Sequence, residues 1–338
     1  MPSISFKILY SIFCILFCIL LAAFVGCITK TGSVEVISVS GNSTDPAHTA
    51  ETSLSVLSDP FQLNRTRIIA ISAGETHSLA LRSDGKVLAW GAGWFRQATV
   101  PRNCSNITLI AAGWQHNLAL KDDGTVIAWG DTREGKCDVP EGLSDVRALS
   151  AGTMHSLALR NDGTVAAWGK NTEGQGDFPK RLTHYTAISG RAWHSIGLKE
   201  DGTIDTFGLN ESGQRNVPEN LCNVTAIATG YGFSLALKDD GTVVGWGADD
   251  RGQVTIPANL TNVTAIAAGD EHSLALRSDG SVVAWGDNQY GQCNVPENLT
   301  DVVAIAAGGA HNLALERDGT IVAWGDNQNG QCNVPAYI

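Results

Sequence analysis

Histidines recur in this chain at a constant spacing. Six of them are separated by multiples of 39 residues, and Phe233 occupies the remaining position of the series; they are His77, His116, His155, His194, His272 and His311. Neutral imidazole nitrogens are common metal ligands, and histidine titrates nearest to neutral pH. The spacing therefore raises two kinds of chemistry, a ring of metal ligands and a set of proton carriers.

The stretch from Gly130 to Cys137, with the sequence GDTREGKC, is close to a phosphate-binding loop. Two features argue against that function. Cys137 stands where a Ser or Thr would hold magnesium, and Asp138-Val139-Pro140 follows where a helix has to begin. The sequence also contains no nucleophile elbow and no zinc-protease histidine pair. We therefore predict no catalytic residues, no cofactor and no metal site.

Both patterns belong to a 39-residue repeat that runs through seven units without insertion or deletion. Glycines such as Gly85 and prolines such as Pro101 keep the same step. The clearest marker is a tryptophan, replaced once by phenylalanine, at Trp90, Trp129, Trp168, Phe207, Trp246, Trp285 and Trp324. A fixed period of this length indicates one supersecondary unit stacked on copies of itself.

Within each unit the apolar residues form short or alternating runs, which are typical of strands. In the last unit these runs are Val302 to Ala307, His311 to Leu315 and Thr320 to Trp324. We therefore predict three strands per unit. An Asp-Gly pair, such as Asp84-Gly85, joins the second strand to the third and predicts a two-residue hairpin turn with positive φ at both residues.

Three strands leave two apolar faces that a single unit cannot bury, whereas seven units packed in a circle can bury them. An open solenoid would require atypical capping units, but the last unit ends on ordinary framework residues at Val334-Pro335. We therefore predict an all-β fold, a seven-bladed β-propeller over residues 61–338. Phe61-Gln62-Leu63 is a candidate for the segment that closes the ring.

The predicted ring argues against a metal held by the histidines. Equivalent points in neighbouring blades are about 0.87 of their radius apart, so imidazoles share a metal at ~2 Å only close to the axis. We predict a structural role for them, with metal or proton chemistry as the alternative. By the same geometry Cys137, Cys293 and Cys332 lie too far apart for bridges, and with Cys104 and Cys222 they are predicted to be free thiols.

Framework motifs recur from unit to unit with some replacements. In the last unit they are Ala306-Ala307-Gly308, His311, Leu313-Ala314-Leu315, Asp318-Gly319, Ala323-Trp324-Gly325 and Asn327 through Gly330-Gln331. These motifs resemble the repeat of the regulator of chromosome condensation family, and the resemblance covers all seven units. It implies a seven-bladed propeller used as a binding scaffold.

The spacing of the units separates two branches of that family. Founding eukaryotic members act as guanine-nucleotide exchange factors for a small GTPase, with longer repeats and an inserted wedge hairpin. The constant 39-residue spacing leaves no room for such a wedge. It is more similar to bacterial short-repeat relatives, among them beta-lactamase inhibitory protein II, which bind proteins through loops on one face.

Two loops of each unit vary while the framework strands repeat. One precedes the histidine and the other follows the tryptophan, and strands that run up, down and up place both on one face. Trp, Tyr and Arg are enriched at interface hot spots, although packing onto a neighbouring blade is the alternative for any one aromatic. The predicted partner-binding residues are Trp94, Phe95, Arg96, Trp114, Arg133, Arg191, Trp193, Tyr231, Arg251 and Tyr290.

Residues 1–27 have the pattern of a targeting segment. Lys7 supplies a positive charge, and the stretch from Ile8 to Val25 is uncharged. Three fates are open: lipidation at Cys27, retention as a membrane anchor, and cleavage as a secretory signal. Residues 28–60, rich in Ser and Thr, are predicted to be a linker. Each fate places the propeller outside the cytoplasm, anchored to the cell envelope or secreted.

Charge and composition narrow the partners. The 338 residues carry a formal net charge of −11 and contain no basic tail, which argues against nucleic acid. Nine Asn-x-Ser/Thr sequons occur, mostly in the connection that enters the first strand. Two interpretations are open: they accept glycans, or they are copies of one duplicated sequence. We expect a monomer that contacts membrane only through its N-terminal segment.

These features predict a non-enzymatic, extracytoplasmic scaffold that recognises a protein, with a carbohydrate as the lesser possibility. A second hypothesis is an exchange-factor-like regulator of a small GTPase. A third is a propeller enzyme with an active site on the axis.

Overall fold

The structure is a computed structural model that describes residues 66–181 and 183–336. The targeting segment with Cys27, the linker at 28–60 and Phe61-Gln62-Leu63 lie outside the described residues. Within the described ranges, no helix has the length and apolar character needed to cross a bilayer. The helical element there is a single 3-10 turn at Arg133–Gly135.

Each of the seven units, numbered 1 to 7 along the chain, forms one antiparallel sheet of three strands, which we call a blade. The order of the strands in each sheet is their order in the chain. The first strands are Ile68–Ala73, Ile107–Ala112, Val146–Ala151, Tyr185–Arg191, Val224–Thr229, Val263–Ala268 and Val302–Ala307. The second strands are His77–Arg82, His116–Lys121, His155–Arg160, His194–Lys199, Phe233–Lys238, His272–Arg277 and His311–Glu316. The third strands are Val87–Gly91, Val126–Gly130, Val165–Gly169, Ile204–Gly208, Val243–Gly247, Val282–Gly286 and Ile321–Gly325. The predicted all-β, three-stranded units are confirmed.

Apolar side chains are buried between neighbouring blades rather than within one blade. The second strands are buried along almost their whole length, since a blade covers each of their faces. Leu79 and Leu81 of unit 1, for example, pack with Ile107, Ala119 and Trp129 of unit 2. The first strands of neighbouring blades contact one another around the ring, which places them nearest the axis. A single unit therefore has no core of its own, as the repeat pattern predicts.

Units 7 and 1 meet through contacts of the same kind as those at internal junctions, which confirms the closed seven-bladed propeller. Trp90 packs in one apolar cluster with Leu313 and Ile321. The Trp90 indole Nε1 donates to the carbonyl oxygen of Gln331 at 2.8 Å. An internal junction has the same bond, from Trp129 to the carbonyl of Gln97 at 3.1 Å. The ring thus closes directly between described residues of the first and last units.

The hairpin turns differ from the prediction. In unit 1 the Arg82 N–H donates to the carbonyl of Lys86 at 2.9 Å, so the loop holds three residues, Ser83-Asp84-Gly85, rather than two. Only Gly85 has a positive φ, at 75°, and the predicted positive φ at the aspartate is wrong. The aspartate instead accepts the N–H two residues further on, at 3.3 Å from Lys86. Such a turn followed by a left-handed glycine is the usual three-residue hairpin.

Unit 4 departs from the framework in its packing. Phe207 replaces the tryptophan and has no N–H to donate to the preceding blade. It stacks instead on Phe178, with ring centroids 4.2 Å apart, and Tyr185 meets Phe178 edge-on at 5.6 Å. Gly197 makes room for them, because a Cβ there would lie 2.7 Å from the Tyr185 ring. An aromatic cluster therefore takes the place of one inter-blade hydrogen bond.

Candidate docking face

The strand register brings the two variable loops of each unit to the same end of the blade. His77 pairs with Gly91, so the loop before the second strand adjoins the loop after the third. The Ala92 N–H donates to the carbonyl of Thr76 at 2.9 Å, and each of the other units has the equivalent bond. We call the surface formed by these fourteen loops the variable face; the Asp-Gly turns lie at the other end of the blades.

Three of the predicted aromatic side chains project from the variable face. Trp94 is 68% exposed, Tyr231 52% and Tyr290 49%. The other three, Phe95, Trp114 and Trp193, are half-buried, which is the packing alternative raised by the sequence. Arg96, Arg133 and Arg251 are exposed. The variable face thus combines free aromatic rings with arginines.

Each half-buried ring carries a cation. The Arg133 guanidinium lies 4.7 Å from the centroid of the Phe95 ring, and the Lys170 ammonium lies 4.9 Å from the ring of Trp193. Lys136 is 5.9 Å from the ring of Trp114. The first two pairs join neighbouring units, whereas Lys136 and Trp114 belong to the same unit; all three fix the aromatic side chains before any partner binds. Lys170 and Lys136 were not among the predicted site residues, because their position in the repeat gave no sign of stacking.

A buried carboxylate holds two of these cations. Asp131 accepts from Lys136 Nζ at 2.6 Å and from both Nε and Nη2 of Arg133 at 2.9 Å. Burial alone would raise the pKa of Asp131, but these hydrogen bonds outweigh it and hold the pKa well below its usual range. Lys136 therefore serves the loop and not a phosphate: the equivalent Gln292 donates in the same way to Asp287, at 2.7 Å.

The histidines connect neighbouring blades. Each of the six rings is fully buried, and its Nε2 meets a Ser or Asn side chain at the start of the next blade's second strand. The distances are 2.6 Å for His77 to Asn117 and 2.9 Å for His311 to Ser78, across the closing junction. Through Nε2 each histidine therefore has a structural role, as a link from one blade to the next. In the described ranges, no three His, Cys, Asp or Glu side chains are grouped to hold a metal.

Acid should destabilise the propeller through these histidines. Burial lowers the pKa of His311 to about 3, and that of His77 and His155 to about 4. A depressed pKa contributes stability that is present above the unfolded value near 6.5 and is lost as pH falls toward the folded value. We expect each such histidine to lower the free energy of unfolding by about 2 kcal/mol at pH 5 relative to pH 7.

The variant His311→Phe tests this expectation. Phenylalanine already stands at position 233 of the series, and Ser78 would keep its bond to the Gln331 carbonyl, at 2.9 Å. Urea unfolding at pH 7 and at pH 5 measures the free energy of unfolding. Its decrease from pH 7 to pH 5 should be smaller in the variant than in the parent protein. An equal loss in both proteins would show that His311 does not take up a proton on unfolding.

Arg191 lies on the propeller axis rather than among the exposed arginines. Its side chain is 16% exposed, and its Nε donates to Asp270 of unit 6 at 2.8 Å. Its Nη2 also lies 3.8 Å from a carboxylate oxygen of Glu75 in unit 1. A cavity of about 10 Å³ adjoins Glu75, Trp114 and Arg191, which is room for about one water molecule. Charged groups of units 1, 4 and 6 thus meet at the axis, beside a cavity of this size.

The opposite face has different features. A second cavity, of about 580 Å³, is an open groove between units 2 and 3, lined by Asp123, Leu143 and Asp145 among others. The sequon residues Asn106, Asn223 and Asn262 lie in connections at this end and have φ values of 58°, 58° and 57°. Asparagine tolerates this left-handed conformation, which supplies a backbone reason for its recurrence there.

The described cysteines are free thiols. Three of them donate within their own loops to aspartate carbonyls, as from the Cys293 sulfur to Asp287 at 3.1 Å. Burial raises the pKa of the Cys104, Cys137, Cys293 and Cys332 thiols to about 11. These thiols are therefore protonated and unreactive at neutral pH.

The architecture defines the class of protein: a seven-bladed β-propeller whose variable loops gather on one face. A family model described as the RCC1-like domain matches residues 22–336, and the chain belongs to this family. The family resemblance inferred from the repeat motifs is thereby confirmed. No curated protein matches the sequence.

Solved structures share the fold. The chain is similar to Prp20p of Saccharomyces cerevisiae, whose binding to Gsp1p and histones has been studied, at 20% identity and a TM-score of 0.61 over 79% of this chain and 84% of that one. It is also similar to the ectodomain of the Physcomitrella patens receptor kinase CR4, at 19% identity and a TM-score of 0.64 over 78% and 74%. A third similar structure is the CRINKLY WD40 ectodomain of the Arabidopsis thaliana receptor kinase ACR4. Its sequence identity is 17% and its TM-score 0.63, over 77% of this chain and 98% of that one.

Proposed function

We propose that this protein is a non-enzymatic scaffold that works outside the cytoplasm and recognises a protein partner through its variable face. The observation that carries the proposal is the exposure of Trp94, Tyr231 and Tyr290. They lie on variable loops, whereas the strands that flank these loops are repeated with little change between units. Large aromatic side chains lose few rotamers when they are buried by a partner, and they dominate binding energy at interfaces.

Preorganisation of the loops supports the same function. Arg133 is fixed by Asp131 and by Gln115, whose side-chain oxygen lies 3.0 Å from Nη2. A side chain already held in one conformation loses less entropy on binding than a free one. The rigid ring beneath it presents these groups at fixed positions, which favours recognition of a folded surface over a flexible segment.

Charge is distributed unevenly over the variable face. Units 1 and 2 present Arg96 and Arg133 beside aromatic rings, whereas the loops of units 5 and 6 expose Asp249, Asp250 and Glu271, with Arg251 3.5 Å from Glu271. A partner with a basic region would be attracted to units 5 and 6, and the net charge of −11 adds to that attraction at long range. Protein recognition is favoured over carbohydrate by this polarity.

The extracytoplasmic location in this proposal is supported by the N-terminal targeting pattern at 1–27. Propellers of similar fold occur in receptor-kinase ectodomains, which is consistent with it. The exchange-factor hypothesis has family membership in its favour and the constant 39-residue spacing against it. The enzyme hypothesis is disfavoured by the small axial cavity.

Capture of a partner from the native cell envelope tests the proposal. The propeller, residues 61–338, serves as bait in its parent form and as the triple variant Trp94→Glu, Tyr231→Glu, Tyr290→Glu. We expect the triple variant to lose at least ~100-fold in affinity for the captured protein, because these residues have hot-spot character.

The matched control replaces exposed apolar residues elsewhere. Ile69 and Val303 are 48% and 43% exposed on first strands, outside the variable loops. The variant Ile69→Glu, Val303→Glu should bind as the parent does, and unfolding curves should show that both variants are folded. Equal capture by all three proteins would refute docking on the variable face. Nucleotide release from GTPases of the host, accelerated by the propeller, would favour the exchange-factor hypothesis.

A further inference from the structure

The loop of unit 4 before the second strand is built differently from the other six. Arg191 stands where the other units have a glycine at the end of their first strand: Gly74, Gly113, Gly152, Gly230, Gly269 and Gly308. These glycines are required by close approach, since a Cβ on Gly113 would lie 2.6 Å from the carbonyl oxygen of Gly152. In unit 4 the first strand extends to Arg191, which pairs with His194. Ala192 turns the chain with a φ of 46°.

The arginine that replaces the glycine crosses the ring. Nε and Nη2 of Arg191 both lie 2.8 Å from Asp270 Oδ1 in unit 6, and Nη1 lies 3.3 Å from the carbonyl oxygen of Ala307 in unit 7. With the longer contact to Glu75, one side chain reaches three blades that are not neighbours of its own. Hydrogen bonds elsewhere in the ring join adjacent blades, as from His194 to Ser234.

The two carboxylates are attached to loops that carry docking residues. The carbonyl of Asp270 accepts the backbone N–H of Tyr231 at 3.0 Å, and the backbone N–H of Glu75 donates to the carbonyl of Gly113, beside Trp114, at 3.2 Å. Glu75, Trp114 and Arg191 line the same small axial cavity. Glu75 and Asp270 are thus linked to the loops of Trp114 and Tyr231 by single backbone hydrogen bonds.

The charges at the axis do not balance when both acids are ionised. Arg191 faces Glu75 and Asp270. The nearby histidines His77, His272 and His311 are neutral at pH 7, because burial lowers their pKa to about 4, about 4 and about 3. Burial and the charge of Asp270 raise the pKa of Glu75 to about 8, although Arg191 opposes this. Near neutral pH, protonated Glu75 thus leaves one guanidinium opposite one carboxylate.

We propose that Glu75, Arg191 and Asp270 form a proton-sensitive clamp on the propeller axis that positions Trp114 and Tyr231 for docking. Loss of the Glu75 proton places two carboxylates against a single guanidinium, and their repulsion moves the attached loops apart. Arg191 is thus a positioning residue of the docking face rather than a contact residue. The effect on binding rests on the proposed function, whereas the clamp itself is independent of any partner.

Intrinsic fluorescence between pH 6 and pH 9 tests the clamp without a partner. We expect a transition centred near pH 8 in the parent protein, in which Trp114 reports the change of its neighbour Glu75. Glu75→Gln, which mimics the protonated acid, should lack the transition, as should Trp114→Phe. A transition of the same midpoint and size in Glu75→Gln, or a flat profile in the parent protein, would overturn the proposal.

Arg191→Gly distinguishes a clamp from a merely structural brace. Glycine is the residue of the other units, and its introduction removes the cation that favours ionised Glu75. The fluorescence midpoint should therefore move to higher pH. An unchanged midpoint would show that Arg191 does not act on Glu75.

Thermal unfolding supplies a second measurement of the clamp. When folding raises the pKa of a carboxyl group, the folded protein loses stability as the pH rises from the unfolded pKa, near 4.5, to the folded pKa, about 8. Above that pH the loss levels off. The unfolding midpoint of Glu75→Gln should exceed that of the parent at pH 9 and approach it at pH 5. Parallel curves over this range would contradict the proposal. Failure of partner capture with these results intact would fault the docking function and not the clamp.

Discussion

Replacement of Asp131 by alanine is expected to lower the free energy of unfolding by about 3–5 kcal/mol. Lys136 is completely buried and its Nζ lies 2.6 Å from the Asp131 carboxylate. Without that carboxylate, the buried ammonium group keeps as hydrogen-bond partners only the Thr153 carbonyl, at 3.3 Å, and the Met154 sulfur. Urea unfolding at pH 7 measures the loss.

Two variants at the same site separate the lost ion pair from general damage. Lys136→Gln introduces the residue of the other six units and should change stability by less than ~1 kcal/mol, because Gln292 and Gln331 donate to their aspartates in the same way. Asp131→Ala combined with Lys136→Met should recover most of the loss, since the buried charge is gone. If the double variant is as unstable as Asp131→Ala alone, the loss does not come from the stranded ammonium.

The closing junction is the second place where a large effect is expected. Ser78→Ala with Trp90→Phe removes two hydrogen bonds to the Gln331 carbonyl, of 2.9 and 2.8 Å, and the partner of His311. Buried groups left without partners cost about 1–3 kcal/mol each, so we expect a loss of about 2–4 kcal/mol in unfolding free energy.

An internal junction provides the matched comparison. Ser156→Ala with Trp168→Phe removes bonds of 2.8 and 2.9 Å to the Lys136 carbonyl and the partner of His116. In a closed ring both double variants lose the same stability within ~1 kcal/mol, because every blade has two neighbours. An undiminished stability of the Ser78, Trp90 variant would mean that the first and last units do not pack together in solution.

Repetition made much of this fold predictable from sequence. The position of Trp90 recurs in all seven units, with tryptophan in six and Phe207 in one. The period, the three strands and the closed ring therefore follow from patterns that no single unit would establish. The placement of the variable loops on one face also follows, because strands alternate in direction. The exposure of Trp94 and Tyr231 agrees with their variation between units.

What the sequence could not provide is the partner of each polar group. The pairing of His77 with Asn117 depends on how far one blade is rotated against the next, which the repeat length does not determine. The dipeptide Asp84-Gly85 predicts a two-residue turn, whereas the aspartate's bond to Lys86 accompanies a longer loop. The sequence predicts Arg191 as a partner-binding residue, because the replacement of glycine by arginine does not indicate which way the side chain points.

Arg191 also links its contacts across the ring to the number of units. Arrays of identical units change length readily by duplication or loss of one unit, since each contact involves only the next copy. Arg191 needs its acceptors two blades ahead, in Asp270, and three blades behind, in Glu75. An added or lost copy would separate this side chain from at least one of them. The contacts of Arg191 therefore match a ring of seven units, in addition to the packing of each sheet on its neighbours.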